Sequence, residues 1–186
     1  DKADGFYHLS LDDDRFIKGL EEALAAFGTP LLGGDTIAAA GARTLGLTAI
    51  GRATCTPVPS RGGAQPGDAV YLTGPVGRAM LGFEGHAAHS DAFHRPVPRL
   101  AEGQALSPYV TAMMDVSDGL LHDAFRMAEA SGVTLALESE AIPVADPARI
   151  ADCIRWGDDY ELLFTLPPTA ALPATAHRIG TVTPRD

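Results

Sequence analysis

Residues 117–137 constrain the fold most strongly, because they specify a helix that runs directly into a strand. Ser117-Asp118-Gly119 precedes apolar positions spaced for one helix face. These positions are Leu120, Leu121, Ala124, Phe125 and Ala128. Ser131-Gly132 is typical of a helix end, and the apolar run 133–137 (VTLAL) is typical of a strand.

The same alternation occurs twice more along the chain. Residues 69–73 (AVYLT) predict a strand, the turn GPVG follows, and a helix is expected from about Arg78. Residues 161–166 (ELLFTL) predict another strand after the turn WGDDY. Interleaved strands and helices indicate a mixed α/β (α+β) class, with a mixed sheet and flanking helices.

The first sixty residues have a different character, and the chain is long enough for one domain and part of a second. Apolar residues at helical spacing follow the acidic run 12–14 and predict a helix that ends at Gly28. Residues 45–52 (LGLTAIGR) predict a strand. The Pro- and Gly-rich segment 57–67 is the best linker candidate. We therefore expect residues 1–60 to complete an amino-terminal α/β domain and residues 61–186 to form a carboxy-terminal domain.

Composition excludes several functional classes. The 186 residues carry a formal charge of −10, which argues against a nucleic-acid partner. No apolar run approaches the ~20 residues of a membrane helix, so no membrane partner is expected. Lys2 and Lys18 are the only lysines and neither follows a glycine turn, which excludes a P-loop. Two cysteines in no CxxC pattern favour a reducing cytoplasm.

Three segments pair glycine with aspartate where a loop meets a regular element. They are Gly33-Gly34-Asp35-Thr36, residues 115–119 (DVSDG) and residues 157–161 (GDDYE). Carboxylates at loop ends are typical ligands of Mg²⁺, which keeps several waters and shares phosphate oxygens. The pattern alone leaves simpler interpretations open: Ser117 or Asp118 as a helix N-cap, and 157–159 as an Asp-containing turn.

Two further features have both a functional and a plain interpretation. The GPVG turn, residues 74–77, either holds phosphate on free N–H groups or is an ordinary turn, and the ordinary turn is favoured. His86, His89 and His94 are metal ligands by type, but no acidic or cysteine partner lies at metal-site spacing. Solvated loop histidines are the favoured interpretation.

The order of several segments resembles the thiamine-monophosphate kinase family. The segments are LLGGDT, GRA after a predicted strand, RPVPRLAEGQAL, MMDVSDGLLHD and GDDYELLFT. That family belongs to the superfamily of aminoimidazole ribonucleotide synthetase and selenophosphate synthetase. The resemblance extends from about Pro30 to the carboxy terminus, and the pair DxSDG and GDDYELLF is its most specific part.

The resemblance implies a role for seven residues. Gly34 and Asp35 match ATP contacts, and Asp35 also matches a magnesium ligand. Arg52 and Ser117 match further ATP contacts. Asp115 and Asp118 match magnesium ligands. Asp158 matches an acidic residue at the thiamine-phosphate site. No residue is assigned as a protein nucleophile or general base.

The function implied by the resemblance is ATP- and Mg²⁺-dependent phosphorylation of thiamine monophosphate to thiamine diphosphate, by a cytoplasmic homodimer. In the family an acidic magnesium cluster and dimer-forming strands precede the part matched here, so weak binding and poor turnover are expected of this chain alone. Trp156 stands where the family usually has the first of two glycines. The alternatives are another ATP-dependent superfamily enzyme, acting on an aminoimidazole ribonucleotide or selenide, and a non-catalytic nucleotide-binding module.

Overall fold

A computed structural model describes residues 11–37, 40 and 44–185 of the chain. The chain divides into two compact units, residues 1–49 and residues 50–186. The domain boundary expected between residues 60 and 61 stays a prediction, which limited proteolysis would test.

The first unit contains α1 (Leu11–Ala26), as the apolar spacing predicts. The helix ends before Gly28, whose φ of 60° is the left-handed conformation typical of a residue just past a helix. Phe16 and Ile17, on its predicted apolar face, are 46% and 48% exposed.

The strand predicted at residues 45–52 is wrong. The structure has no strand there, and Leu47 and Ile50 are 83% and 80% exposed. A β-strand is stable only when its N–H and C=O groups pair with a neighbouring strand. Among the described residues, no strand pairs with this segment.

The second unit is built on one five-stranded sheet in the order β2-β4-β1-β5-β3. Its strands are β1 (Ala69–Leu72), β2 (Ala112–Asp115), β3 (Val133–Leu137), β4 (Leu162–Leu166) and β5 (His177–Pro184). All four strand pairings are antiparallel, and a parallel bridge joins Val76 to Val144 outside the strands. The mixed α/β class is confirmed.

Five α-helices accompany the sheet in the described residues of the second unit. They are α2 (Arg78–Phe83), α3 (Ser90–His94), α4 (Leu100–Leu106), α5 (Leu120–Ser131) and α6 (Ile150–Cys153). Leu163 of β4 packs in the cluster that contains Leu120 and Met127 of α5, whereas its neighbour Phe164 packs with Leu106 of α4. Alternate residues of β4 therefore face two different cores.

The register of β4 with its two neighbours, β1 and β2, determines which loops lie at the same end of the sheet. Asp115, the last residue of β2, pairs with Leu162, the first residue of β4, and Leu72 at the end of β1 pairs with Leu163. Because the strands are antiparallel, the segments after β1, after β2 and before β4 leave the sheet at the same end.

The buried face of α5 differs from the predicted one. Leu120 and Ala124 are buried as expected, but Leu121 and Phe125 are 36% and 63% exposed. The inward positions are taken instead by Met127 and the acidic Asp123. The spacing of apolar residues cannot predict a charged residue on the buried face of a helix.

Candidate functional site

The two Asp/Gly loops of the second unit meet and extend the sheet. They are named here the DVSDG loop (115–119) and the GDDYE loop (157–161). The Val116 N–H donates to the Glu161 carbonyl at 2.8 Å, and the Tyr160 N–H donates to the Val116 carbonyl at 2.9 Å. The Asp158 N–H donates to the Ser117 carbonyl at 2.9 Å. The backbone alone therefore joins the two predicted functional motifs.

Glycine is required where the loops approach each other. A Cβ at Gly157 would lie 2.3 Å from the Ser117 carbonyl oxygen, and one at Gly119 would lie 2.3 Å from the Trp156 carbonyl oxygen. Asp158 and Tyr160 have φ values of 60° and 52°, in the left-handed region that non-glycine residues seldom adopt. Such strain persists where the surrounding structure holds it, often at functional sites.

One carboxylate contacts the Tyr160 hydroxyl and the charges of two more act on it, and we name these residues, Asp115, Asp118 and Asp158, the open cluster. Tyr160 donates to Oδ1 of Asp158 at 3.1 Å. Burial raises the pKa of Tyr160, and the hydrogen bond to Asp158 and the charges of all three carboxylates raise it further. Asp115 and Asp118 are exposed and Asp158 is partly so. Carboxylate oxygens in such positions are available to a ligand.

Asp123 of α5 holds the DVSDG loop from inside. Its buried Oδ2 accepts the N–H groups of Ser117 at 3.1 Å and Asp118 at 3.0 Å. The N-cap position of α5 is Gly119, which has no side chain to cap the helix. The alternative of Ser117 or Asp118 as the N-cap is therefore wrong: glycine is required there, and Asp123 binds the loop N–H groups instead.

The Arg126 guanidinium supplies positive charge to two acidic residues, Asp118 in this loop and Asp123 in α5. Its Nη1 donates to Oδ2 of Asp118 and lies 3.4 Å from Oδ1 of Asp123. The hydrogen bond to Asp118 is the largest cause that raises the pKa of Arg126 above its ordinary value. Asp118, a predicted magnesium ligand, thus already binds one cationic group.

Asp159 points away from the open cluster, although it follows Asp158 directly. Its carboxylate accepts the N–H of Gly77 at 2.7 Å and the N–H of Ala79 at 3.2 Å. Burial raises the pKa of Asp159 to about 6, although the hydrogen bonds to the 77–79 backbone oppose that rise. Because Asp159 occupies N–H groups of the GPVG turn, the geometry favours the ordinary-turn interpretation over a phosphate site.

Glu161, the last residue of the GDDYE loop, is buried and forms an ion pair with the partly buried Arg99. Arg99 donates through Nε and Nη2 to the two carboxylate oxygens of Glu161, at 2.8 and 2.6 Å. The Thr73 hydroxyl donates to the same carboxylate at 2.6 Å. The bond to Glu161 is the largest cause that raises the pKa of Arg99. This network attaches the GDDYE loop to the segment after β1.

Sequence reasoning assigned no role to Arg99, Asp123, Arg126, Asp159 and Glu161, all of which shape the site. Four of them lie within quoted motifs: Arg99 in RPVPRLAEGQAL, Asp123 in MMDVSDGLLHD, and Asp159 and Glu161 in GDDYELLFT. Asp123 has a local signal, since it follows the loop by one helical turn in α5. The pairing of Arg99 with Glu161 joins residues 62 positions apart and has no local signal.

The other predicted residues lie outside these loops. Gly34 and Asp35 belong to the first unit and are exposed, and Oδ1 of Asp35 accepts the N–H of Thr36 at 2.8 Å. Arg52 is exposed near the start of the second unit. Their roles toward nucleotide and metal stay predictions.

Within the described residues, no group of three or more histidine, cysteine and acidic side chains has the arrangement of a metal site. Asp115 and Asp118 nevertheless fit Mg²⁺ in chemistry, because Mg²⁺ needs only one or two protein carboxylates when water and phosphate complete its shell. The Asp118 side chain is 49% exposed, so a hydrated cation can reach its carboxylate. No helix in the described part of the chain is long and apolar enough to cross a membrane.

Comparison with protein families identifies the second unit. Residues 65–186 match the family model described as AIR synthase related protein, C-terminal domain. The chain belongs to this family. The two loops, the sheet that they extend and helices α2 to α6 all lie within the matched residues.

The curated relatives of this AIR synthase related chain bear out the resemblance seen in the sequence. It is 34% identical over 191 residues to the thiamine-monophosphate kinase of Halobacterium salinarum, covering 92% of this chain and 65% of that protein. It is 33% identical over 182 residues to the Salmonella typhimurium enzyme of that name, covering 83% and 54%. The chain thus spans about half to two thirds of the length of these relatives.

Solved structures give the same answer. Thiamine monophosphate kinase from Aquifex aeolicus superimposes with a TM-score of 0.64 at 29% identity, covering 69% of this chain and 51% of that one. The structure of AaThiL complexed with AMPPCP and TMP has a TM-score of 0.64, also at 29% identity, covering 69% and 48%. The hydrogenase maturation protein HypE has a TM-score of 0.52 at 19% identity, which shows the fold alone.

Proposed function

We propose that this chain is part of a thiamine-monophosphate kinase, which uses Mg²⁺ and ATP to phosphorylate thiamine monophosphate to thiamine diphosphate. The observation that carries the proposal is the junction of the DVSDG and GDDYE loops, whose backbone hydrogen bonds join the segments that carry Asp115, Asp118 and Asp158. The names of the relatives support the same reaction.

The acidic residues of the open cluster have two tasks in the proposal. Asp115 and Asp118 hold Mg²⁺, which neutralises phosphate charge when it is bound. Asp35, in the first unit, is also proposed as a magnesium ligand. Ser117, Gly34, Asp35 and Arg52 contact ATP. Asp158, oriented by the Tyr160 hydroxyl at 3.1 Å, lies at the thiamine-phosphate site, where its negative charge suits the cationic thiazolium ring.

The proposed phosphoryl transfer requires little from the protein beyond the positioning of the two substrates. The acceptor is a phosphate oxygen that is already ionised at neutral pH, so no general base has to remove a proton. The loops keep their carboxylates in place through backbone hydrogen bonds, which fixes the geometry before the substrates arrive. Phosphoryl transfer then depends on alignment and charge, and the residues present serve both.

Trp156 provides a reporter for this site. It is the chain's single tryptophan, two positions before Asp158, and its ring packs on Phe83 with centroids 5.2 Å apart. We expect thiamine monophosphate with Mg²⁺-AMPPCP to change its fluorescence, and Asp158→Asn to weaken the apparent affinity about ten-fold. The control is Asp91→Asn, an exposed acidic residue of α3.

Turnover is tested with ATP, Mg²⁺ and thiamine monophosphate, and thiamine diphosphate is measured by chromatography. We expect slow turnover from this chain, and less from Asp158→Asn. Transfer to an aminoimidazole ribonucleotide or to selenide, with none to thiamine monophosphate, would support the other superfamily enzymes. Nucleotide binding without any transfer would support a non-catalytic module.

The assembly and location of the protein complete the proposal. Following the resemblance, we propose a cytoplasmic homodimer, with residues 1–60 as the remainder of the nucleotide-binding domain. Sedimentation equilibrium tests the dimer, and a single species of 19.4 kDa would contradict it for this chain.

A further inference from the structure

We propose that Arg126 competes with Mg²⁺ for Asp118, so that the guanidinium leaves this carboxylate when the cation binds. The inference rests on the proposed function in one respect, namely that Asp118 is a magnesium ligand. It adds a residue of this chain that sets the affinity of the site for divalent cations.

Arg126 and Asp118 are in direct contact at the surface of the second unit. Nη1 of Arg126 donates to Oδ2 of Asp118, and both side chains are partly exposed, at 36% and 49%. A magnesium ion bound to Asp118 would place two positive charges beside a guanidinium that never loses its own. The carboxylate then has to share its oxygens between two mutually repelling cations, which lowers the affinity for the metal.

A second partner gives the guanidinium an alternative position. Oδ1 of Asp123 lies 3.4 Å from the same Nη1, and Asp123 is fully buried at the base of the DVSDG loop. Releasing Asp118 therefore leaves Arg126 next to the Asp123 carboxylate. The exchange requires a side-chain rotation only, because the loop backbone is held by Asp123 and by the GDDYE loop.

The pair also has a role without metal. Asp115, Asp118 and Asp158 all act on Tyr160, and a cluster of like charges is unfavourable without a counter-charge. Arg126 supplies that charge at Asp118 before any cation is present. The same side chain thus stabilises the empty site and weakens cation binding to it.

The test is titration of this chain with Mn²⁺, with free Mn²⁺ followed by electron paramagnetic resonance. We expect Arg126→Gln to bind Mn²⁺ about two- to five-fold more tightly, the scale of an exposed ion pair, and Arg126→Lys to restore most of the wild-type affinity. The gain should vanish in the double variant Arg126→Gln with Asp118→Asn, compared with Asp118→Asn alone.

Arg155→Gln is the matched control. It removes one positive charge nearby, because the Arg155 carbonyl borders Gly119, but its guanidinium donates to the Ala151 carbonyl at 2.8 Å. We expect its Mn²⁺ affinity to stay within about two-fold of wild type. An equal gain from Arg155→Gln would overturn the proposal, because net charge alone would then explain the effect.

Two further results would overturn it: unchanged or weaker Mn²⁺ binding by Arg126→Gln, or no binding by both this variant and the wild type. Binding by the variant alone supports it. None of these results depends on phosphate transfer. Competition at Asp118 therefore stands if thiamine monophosphate proves not to be the acceptor, and the kinase proposal survives if Arg126 has no effect.

Discussion

The site contains two sets of three carboxylates that are close in sequence and opposite in character. In the open cluster, Asp115 and Asp118 are exposed and Asp158 is partly exposed. The inner set, Asp123, Asp159 and Glu161, is bonded to protein groups. Asp158 and Asp159 are adjacent in the chain yet belong to different sets.

The difference shows how one kind of side chain serves two purposes. A buried carboxylate is stable only when N–H groups, hydroxyls or a cation bind it. Asp123 and Asp159 therefore fix backbone N–H groups, and Glu161 fixes the side chains of Arg99 and Thr73. An exposed carboxylate keeps free oxygens for a ligand and adds little to folding. The inner set builds the loops, and the open cluster is what the loops present.

Breaking the inner set at Glu161 should have the largest effect. Glu161→Ala removes two hydrogen bonds to Arg99 and one to Thr73, and it leaves the partly buried guanidinium without this partner. We expect a loss of about 3 kcal/mol in the free energy of unfolding, measured with urea. Glu102→Ala is the control, since Glu102 contacts the same arginine more loosely, at 3.6 Å. Equal losses from both variants would contradict a special role for Glu161.

The pH dependence of stability provides a second test of the inner set, through the raised pKa of Asp159. Its pKa is about 6 in the folded protein and 3.8 ordinarily, so the folded state binds more protons between these values and stability falls as pH rises. Relative to Asp159→Asn, which cannot titrate, wild type should lose up to about 3 kcal/mol of unfolding free energy from pH 4 to pH 7. Urea unfolding at both pH values measures it, and a relative gain over this window would refute the assignment.

Separating the loops tests whether the two sets depend on each other. Gly157→Ala places a Cβ 2.3 Å from the Ser117 carbonyl, and relief of that clash should cost about 1–3 kcal/mol. It should also weaken Mn²⁺ binding, because Asp118 follows Ser117. Gly103→Ala in α4 is the control, since its Cβ would meet Leu162 at an ordinary 3.5 Å. Undisturbed metal binding in Gly157→Ala would mean that the open cluster does not need the loop junction.

Much of the fold was predictable because its signals are local. The strand predicted at 133–137 is β3, and the strand predicted at 161–166 begins one residue early relative to β4. In both places a run of apolar residues is bounded by turn residues. The strand at 45–52 failed for the opposite reason, since pairing is not a local property and the pattern carries no information about a partner.

The residues of the site also divide into those with a local signal in the sequence and those without one. The pattern of glycine and aspartate selected the segments that contain the open cluster, and the family resemblance then singled out Asp115, Asp118 and Asp158, whose roles stay predictions. The pattern also included Asp159 and Glu161, but it did not distinguish them from the open cluster, because burial and pairing arise only when distant segments pack. The predicted face of α5 failed at Phe125 for this reason: the inward position belongs to Asp123, whose charge is satisfied by loop N–H groups.

The backbone bonds that join the two loops have a consequence for the motion of the site. The amides of Val116, Asp158 and Tyr160 donate to carbonyls across the junction, as the amides of a strand do. Their hydrogen exchange should therefore be slow and follow the opening of the whole sheet rather than of a separate loop. The conformational entropy of the two loops is lost during folding. A ligand that binds later therefore meets loops that are already ordered and does not incur that entropic cost again.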